Sequence, residues 1–312
     1  MSVHYTSNLS KLLQWVDRLA VMKHEALFLP ITVDLSPTSK CNNDCKFCAV
    51  KLRDKTKEIS LDLAKQYLKK YKDLGAVGLE FTGGGEPLMH PDIIEMIRYG
   101  DELGYKMGLI TNGYYLSKLD SLLSLPKVPY LEWVRISVNW ALPDLSKNLK
   151  IPEYVKKHVG VVGLNIVLAR DSKLSDLELI PKYLEENPLI EYVKITPDCT
   201  ELDAQFDRIA EVEEFCKSQK KIFATSKENL VPKACYIGCL KPHIDADGYV
   251  YRCATCGLFE GKYSEKFRIG DINNIPTRID TFDTTGCKFC FFYSQNESLR
   301  TILTDVKHKE FI

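Results

Sequence analysis

The sequence predicts an α/β protein: an open, partial (β/α)6 barrel followed by a small cysteine-rich region. Three observations carry that expectation. Strand-like and helix-like segments alternate from residue 29 to about residue 225. From about Asn229 the rhythm gives way to a hairpin pattern, HIDADGYVYRC, with too little apolar material for a large core of its own. Nine of the eleven cysteines fall into two groups, Cys41 to Cys48 and Cys235 to Cys290, one on each side of that change.

Residues 1–27 read as a helical extension. The stretch from about Asn8 to Lys23 is amphipathic, with Leu12, Trp15, Val16 and Leu19 on one side, and is expected to pack on the barrel. Lys11, Asp17 and Arg18 interrupt it, so it is not a signal peptide. The barrel is expected over 28–226. Its strands read LPITVDLS (29–36), VGLEFTG (77–83), KMGLITNG (106–113), WVRISVNW (133–140), LNIVLAR (164–170) and YVKITPD (192–198). Between them, LDLAKQYLKKYKDLG ends in the glycine that stops a helix. HPDIIEMIRYGDELG repeats the scheme, and SDLELIPKYLEEN opens on a Ser cap. Six such units joined by right-handed crossovers give parallel strands, too few to close a TIM-type barrel of eight. Residues 227–312 form the cysteine-rich end, which is small enough to need a metal to hold it.

Composition excludes several classes. Lys and Arg balance Asp and Glu at 42 each, so no global basic field points to nucleic acid. Lys65, Lys69, Lys70 and Lys72 form the wet face of a helix whose apolar side is Leu63, Ala64 and Leu68. No apolar run reaches membrane-spanning length. Without an export signal the chain reads as cytoplasmic, and clustered cysteines in a reducing compartment point to metal rather than disulfides. Cys216 reads as a packing residue.

Cys41, Cys45 and Cys48 are three thiols on one short loop after the first strand, where such folds place their chemistry. Structural zinc wants four ligands, and no histidine follows Cys48 before His90. A cubane iron–sulfur cluster takes four thiolates, so three would leave one iron open. CNNDCKFC, with Phe47 as its aromatic, resembles the CxxxCxΦC motif of the radical S-adenosylmethionine (SAM) enzymes. The resemblance implies a 4Fe–4S cluster on Cys41, Cys45 and Cys48. It implies SAM chelated at the open iron and cleaved to a 5′-deoxyadenosyl radical that abstracts a substrate hydrogen atom.

Thr82-Gly83-Gly84-Gly85-Glu86-Pro87 ends the second strand. Three glycines let a ligand approach the backbone closely. In the family this turn binds the methionine amino group, with Glu86 placed to pair with it. Ser137 and Asn139 on the fourth strand occupy positions of ribose or carboxylate contacts, although many relatives carry Asp at the place of Asn139. Thr111, Asn112, Asn165 and Arg170 are further polar candidates for the cofactor.

The second group reads Cys235-x3-Cys239, Gly248-x4-Cys253-x2-Cys256 and Cys287-x2-Cys290. Zinc on two CxxC pairs is one reading. The pattern is also similar to the SPASM and twitch auxiliary-cluster domains of radical SAM enzymes. The twitch resemblance implies one auxiliary 4Fe–4S cluster on Cys235, Cys253, Cys287 and Cys290. Cys239 or Cys256 is the alternative ligand.

The resemblance implies a radical SAM oxidoreductase acting on a small molecule, its auxiliary cluster accepting an electron, with a donor such as flavodoxin or ferredoxin. A peptide-modifying enzyme or an epimerase is the alternative. A non-catalytic iron–sulfur or zinc protein is the alternative of another class. Lys194, Asp198 and Arg170 are candidate bases at the rim, and Cys199 is either a hydrogen-atom donor or a buried thiol.

Overall fold

The computed structural model describes residues 8–124, 130–169, 172–200, 206–225, 230–254, 265–278, 284–287 and 290–304. Among the sequence-based expectations, those for Arg170, Asn229 and Cys256 lie outside these residues.

Ten strands form one open sheet in the order β10-β9-β8-β1-β2-β3-β4-β5-β6-β7. The six expected strands are β1 (Thr32–Leu35), β2 (Gly78–Phe81), β3 (Lys106–Thr111), β4 (Trp133–Ser137), β5 (Val161–Leu168) and β6 (Ile190–Pro197). All are parallel. A short seventh, β7 (Ile222–Ala224), adds to the β6 edge. Beyond β1 lie β8 (His243–Ile244), parallel to β1, and then β9 (Val250–Tyr251) and β10 (Arg268–Gly270), both antiparallel to their neighbours. The expected Asp-Gly hairpin is thus β8–β9, turning at Gly248 with φ +85°. It continues the barrel sheet rather than standing apart from it.

The helices are α1 (Asn8–Leu13), α2 (Val16–Glu25), α3 (Leu61–Asp73), α4 (Ile93–Glu102), α5 (Leu145–Asn148), α6 (Glu153–His158), α7 (Leu179–Glu186), α8 (Phe206–Lys217), α9 (Ile237–Leu240) and α10 (Tyr293–Leu303). Helix α3 shows the local logic. The Ser60 hydroxyl accepts from Leu63 N at 3.2 Å, and Gly75 takes φ +94° to end the helix. Ala64, Tyr67, Leu68 and Tyr71 are buried, while Lys69 and Lys70 stay exposed. Tyr67 Oη donates to Gly248 O at 2.6 Å and so pins the hairpin turn to this helix.

Two local expectations change. The amino-terminal helix breaks into α1 and α2 at Gln14–Trp15, and the break resets its phase. Leu12, Leu19 and Met22 face inward, whereas Val16 is 56 % exposed. Ser175 caps nothing, because its segment opens as a 3-10 turn, Leu174–Glu178, led by Lys173. Among the described residues no helix is long and apolar enough to cross a membrane.

Candidate active site

Two turns at the carboxyl ends of β1 and β2 build the rim. The first carries Cys41, Cys45 and Cys48, all half-buried. Arg53, almost fully buried, folds this loop back on its root. Its Nε and Nη2 donate to Ser39 O at 3.2 and 3.0 Å, and Nη1 donates to Val50 O at 2.7 Å. The same Nη1 lies 3.8 Å from Cys48 Sγ, which puts a positive charge beside a thiol. Cys41 Sγ accepts from Asn43 N at 3.4 Å and from Asn112 Nδ2 at 3.8 Å. Burial pushes the Cys45 thiol up, and the neighbouring Cys48 and Cys41 add to the shift. The three thiols therefore stand within electrostatic reach of one another. No motif marks Arg53 in the sequence; its role appears only when the loop closes.

The second turn is pressed onto the first. A Cβ on Gly83 would sit 1.9 Å from Gly85 O, and one on Gly85 would sit 2.0 Å from Lys40 O. Only glycine fits at either position. Gly84 N donates to Ser36 Oγ at 2.7 Å, and Glu86 N donates to Lys40 O at 2.8 Å.

Glu86 is buried, 2 % exposed, and its carboxylate is hydrogen-bonded inside the fold. Oε1 accepts from Leu88 N at 3.0 Å and Thr111 Oγ1 at 2.7 Å, and Oε2 accepts from Asn112 N at 2.6 Å. Burial pushes its pKa up against these three donors. The carboxylate thus clasps the turn after β2 to the turn after β3, and Glu86 also lines the cavity described next.

A cavity of about 1140 Å³ opens beneath this rim. Cys41, Cys45, Cys48 and Phe47 line it, as do Gly83, Gly85, Glu86, Thr111 and Asn112. Ser137 and Asn139 line it from β4 and the turn that follows. The Asn139 amide is already committed: Nδ2 donates to Val167 O at 2.7 Å and Oδ1 accepts from Val167 N at 2.9 Å. Asn165 stands in register between Ser137 and Lys194. Among the candidate bases and donors, Lys194 and Cys199 line the cavity. Asp198 is buried and held in a turn, accepting from Thr200 N at 2.8 Å and Thr200 Oγ1 at 2.7 Å.

The second cysteine group gathers from three segments. Cys235 is buried just before α9, Cys253 follows β9, and Cys287 and Cys290 precede α10. Burial, then Cys253 and Cys290, push the Cys235 thiol up. Burial also pushes Cys290 up to about 11, with Cys253 and Cys287 adding to it. Cys239 is fully buried within α9. Asn296, another residue no sequence signal marked, ties the group together. Its Oδ1 accepts from Tyr236 N at 2.7 Å and Ile237 N at 3.0 Å, while Nδ2 donates to Cys290 Sγ at 3.4 Å.

Among the described residues no three His, Cys, Asp or Glu side chains converge as a single metal ion requires. A cubane spreads its thiolates over separate irons, so neither cysteine set need close on one point. Half-buried thiols flanked by Arg53 and N–H donors, against a glycine backbone, are a donor set that fits such a cluster.

The model of the Radical SAM superfamily matches residues 35–159, from β1 through α6. An S-adenosylmethionine-dependent nucleotide dehydratase of Selenomonas ruminantium is 35 % identical over 81 residues, 26 % of this chain and 29 % of that protein. A PqqA peptide cyclase of Bradyrhizobium diazoefficiens is 29 % identical over 96 residues, 30 % of this chain and 25 % of that protein. The chain thus spans less than a third of the length of these two curated relatives. Streptococcus suis SuiB bound to S-adenosylmethionine superposes with a TM-score of 0.58 at 16 % identity, covering 86 % of this chain and 70 % of that one. SuiB bound to its precursor peptide SuiA gives 0.57, over 80 % of this chain and 66 % of that one. At such identity the likeness is one of fold. The family implies a 4Fe–4S cluster and SAM, and the cysteine loop and glycine turn lie inside the matched residues. Residues 35–159 thus match the Radical SAM superfamily, ahead of a cysteine-rich carboxyl-terminal region.

Proposed function

We propose that this protein is a radical SAM oxidoreductase that removes a hydrogen atom, a proton and an electron from a small-molecule substrate. One observation carries the reading. The cavity lined by Cys41, Cys45 and Cys48 is also lined by Ala254 and Phe291, each next in sequence to a cysteine of the second group. A substrate there would lie between two cysteine sets.

Cys41, Cys45 and Cys48 would hold one 4Fe–4S cluster, and Cys235, Cys253, Cys287 and Cys290 a second, auxiliary one. When bound, the clusters and SAM supply one-electron chemistry: reductive SAM cleavage, hydrogen abstraction by the 5′-deoxyadenosyl radical, and acceptance of the substrate electron at the second cluster. The protein's residues do the rest. Arg53 sets a fixed cation beside the Cys48 sulfur. Gly83 and Gly85 line the cavity where the amino acid end of SAM would lie. Ser137 presents a hydroxyl to the same space. Lys194 lines the cavity where the substrate proton leaves, and Cys199 is the thiol that a hydrogen-returning epimerase would need. Residues 1–27, 28–226 and 227–312 are the corresponding units: extension, barrel and auxiliary-cluster region. The reductant is a flavodoxin or ferredoxin, and the setting is cytoplasmic.

A peptide substrate is the second reading, supported by the likeness to the PqqA peptide cyclase and to SuiB with its precursor peptide.

The test is iron and product in Cys287→Ala. Wild-type protein should reconstitute with roughly eight irons and the variant with roughly four, at four irons per cluster. The variant should still form 5′-deoxyadenosine but little oxidised product. Full iron in the variant would show that Cys287 is no ligand, and normal product yield without the second cluster would remove its electron-accepting role.

A further inference from the structure

One cation inside the barrel is left unused by the site described above. Arg135 sits mid-strand on β4 and lines the cavity, its Nε shut off from solvent without a hydrogen-bond partner. The guanidinium lies over the Trp133 ring, 5.1 Å from the centroid. Its field reaches Glu80, but that carboxylate is bonded to Lys241 at 2.7 Å. No carboxylate of the described residues forms an ion pair with Arg135. Five fixed donors are thus stacked in place with no acceptor among the described residues.

The neighbouring strands clear room around it. Arg135 stands opposite Gly163, and Gly163 opposite Tyr192. A Cβ on Gly163 would lie 2.1 Å from the Tyr192 ring, so that ring occupies the space a side chain would fill. In the same way, a Cβ on Gly108, opposite Trp133, would lie 2.0 Å from the Trp133 ring. Two rings laid on glycine backbone give the guanidinium apolar walls, and a low local dielectric strengthens any charge pair formed there. Asp34 and Glu80 are both paired with Lys241, so the carboxylates within reach are tied to a cation other than Arg135.

We propose that Arg135, stacked on Trp133, anchors an anionic oxygen group of the substrate, a carboxylate or a phosphate. The inference rests on the reading of this cavity as the substrate chamber. A planar guanidinium offers such a group two parallel hydrogen bonds, which fixes orientation as well as position. The anchor lies one strand layer below Ser137 and Lys194, about 6.6 Å further from the rim at 3.3 Å per residue. A small acid held there directs its other end toward the three rim thiols.

The experiment is calorimetric titration of the reconstituted holoprotein at constant ionic strength. The probes are glutarate, inorganic phosphate and the neutral diamide glutaramide. Saturable binding of glutarate or phosphate, but not of glutaramide, is expected, and the tighter anion names the source. Arg135→Gln should weaken that binding roughly tenfold or more, as for any lost charge-assisted pair, and Arg135→Lys should retain part of it. Equal binding of glutaramide and the anions would overturn the proposal. So would wild-type anion affinity in Arg135→Gln or, should that variant misfold, full wild-type affinity in Arg135→Lys. SAM cleavage is measured alongside in wild-type protein. Its absence would sink the enzymatic reading, whereas intact cleavage with no anion preference would sink the anchor alone.

Discussion

The two cysteine groups are built in opposite ways. The rim group lies on one short loop, and everything that shapes it is nearby: Arg53 from the same loop, Asn112 from the next strand end, and the glycine turn beneath. The second group is drawn from three separated segments, with Cys235 in the main core and Cys253 and Cys287 against a small apolar cluster of Tyr251 and Phe267. The first needs the barrel and contributes little to it. The second ties together loops at the edge of the sheet, where less apolar material is packed than in the barrel. The difference teaches that losing the rim thiols should cost chemistry, and losing the others should cost structure.

The largest effect tests the first half of that statement. Replacing Cys41, Cys45 and Cys48 together by Ala should abolish 5′-deoxyadenosine formation and lower reconstituted iron from roughly eight to roughly four per chain. Far-ultraviolet circular dichroism and the melting of the barrel should barely change. Continued 5′-deoxyadenosine production would remove the rim thiols from the chemistry altogether.

The joint between the two regions gives the next largest effect. Lys241, at the entry to β8, reaches Glu80 at 2.7 Å and Asp34 at 3.2 Å, and so bolts the hairpin to β1 and β2. Lys241→Met would leave the buried Asp34 and the partly buried Glu80 without their cation, a loss of about 3 kcal/mol, the low end for a broken buried pair. Denaturant unfolding under anaerobic conditions measures it, and a loss below about 1 kcal/mol would mean the joint lies elsewhere. The same cluster has a pH signature. Burial raises the Asp34 carboxyl from 3.8 to about 7, against the pull of Lys241. A folded pKa above the unfolded one gives stability that is whole below about pH 4 and is lost as pH rises through about 7. Wild-type protein should therefore lose stability relative to Asp34→Asn between those limits and run parallel to it above them.

The same contrast governs what could be read in the sequence. The strands, the stop at Gly75 and the Asp-Gly hairpin are written in local periodicity and turn chemistry, and each appears where expected. The rim cysteines and the glycine turn are legible for the same reason, since both are contiguous. Residues acting across the fold left no such trace. Arg53 matters because Ser39 is fourteen positions away in sequence yet in contact, and Asn296 because Tyr236 is sixty away. Arg135 looks like one more strand residue until its neighbours turn out to be glycines and rings. Glu86 is the intermediate case. Its motif was visible, but its task depended on where Thr111 and Asn112 would fall.

The smallest effect sharpens the comparison within the rim itself. If Glu86 is a clasp, its removal should act on the shape of the site and leave both cysteine groups untouched. Glu86→Gln keeps the outline of the side chain but turns one acceptor oxygen into an NH2 group. That group must then face Asn112 N on one side, or Leu88 N and the Thr111 hydroxyl on the other. The loss of a charged hydrogen bond costs on the order of 1.5–3 kcal/mol, and the glycine turn should loosen with it. SAM affinity should fall while iron content holds, and the melting temperature should fall with it. A lowered melting temperature with unchanged SAM affinity would leave the clasp a purely structural part of the barrel. Weaker SAM binding without any loss of stability would instead return the carboxylate to direct contact with the cofactor.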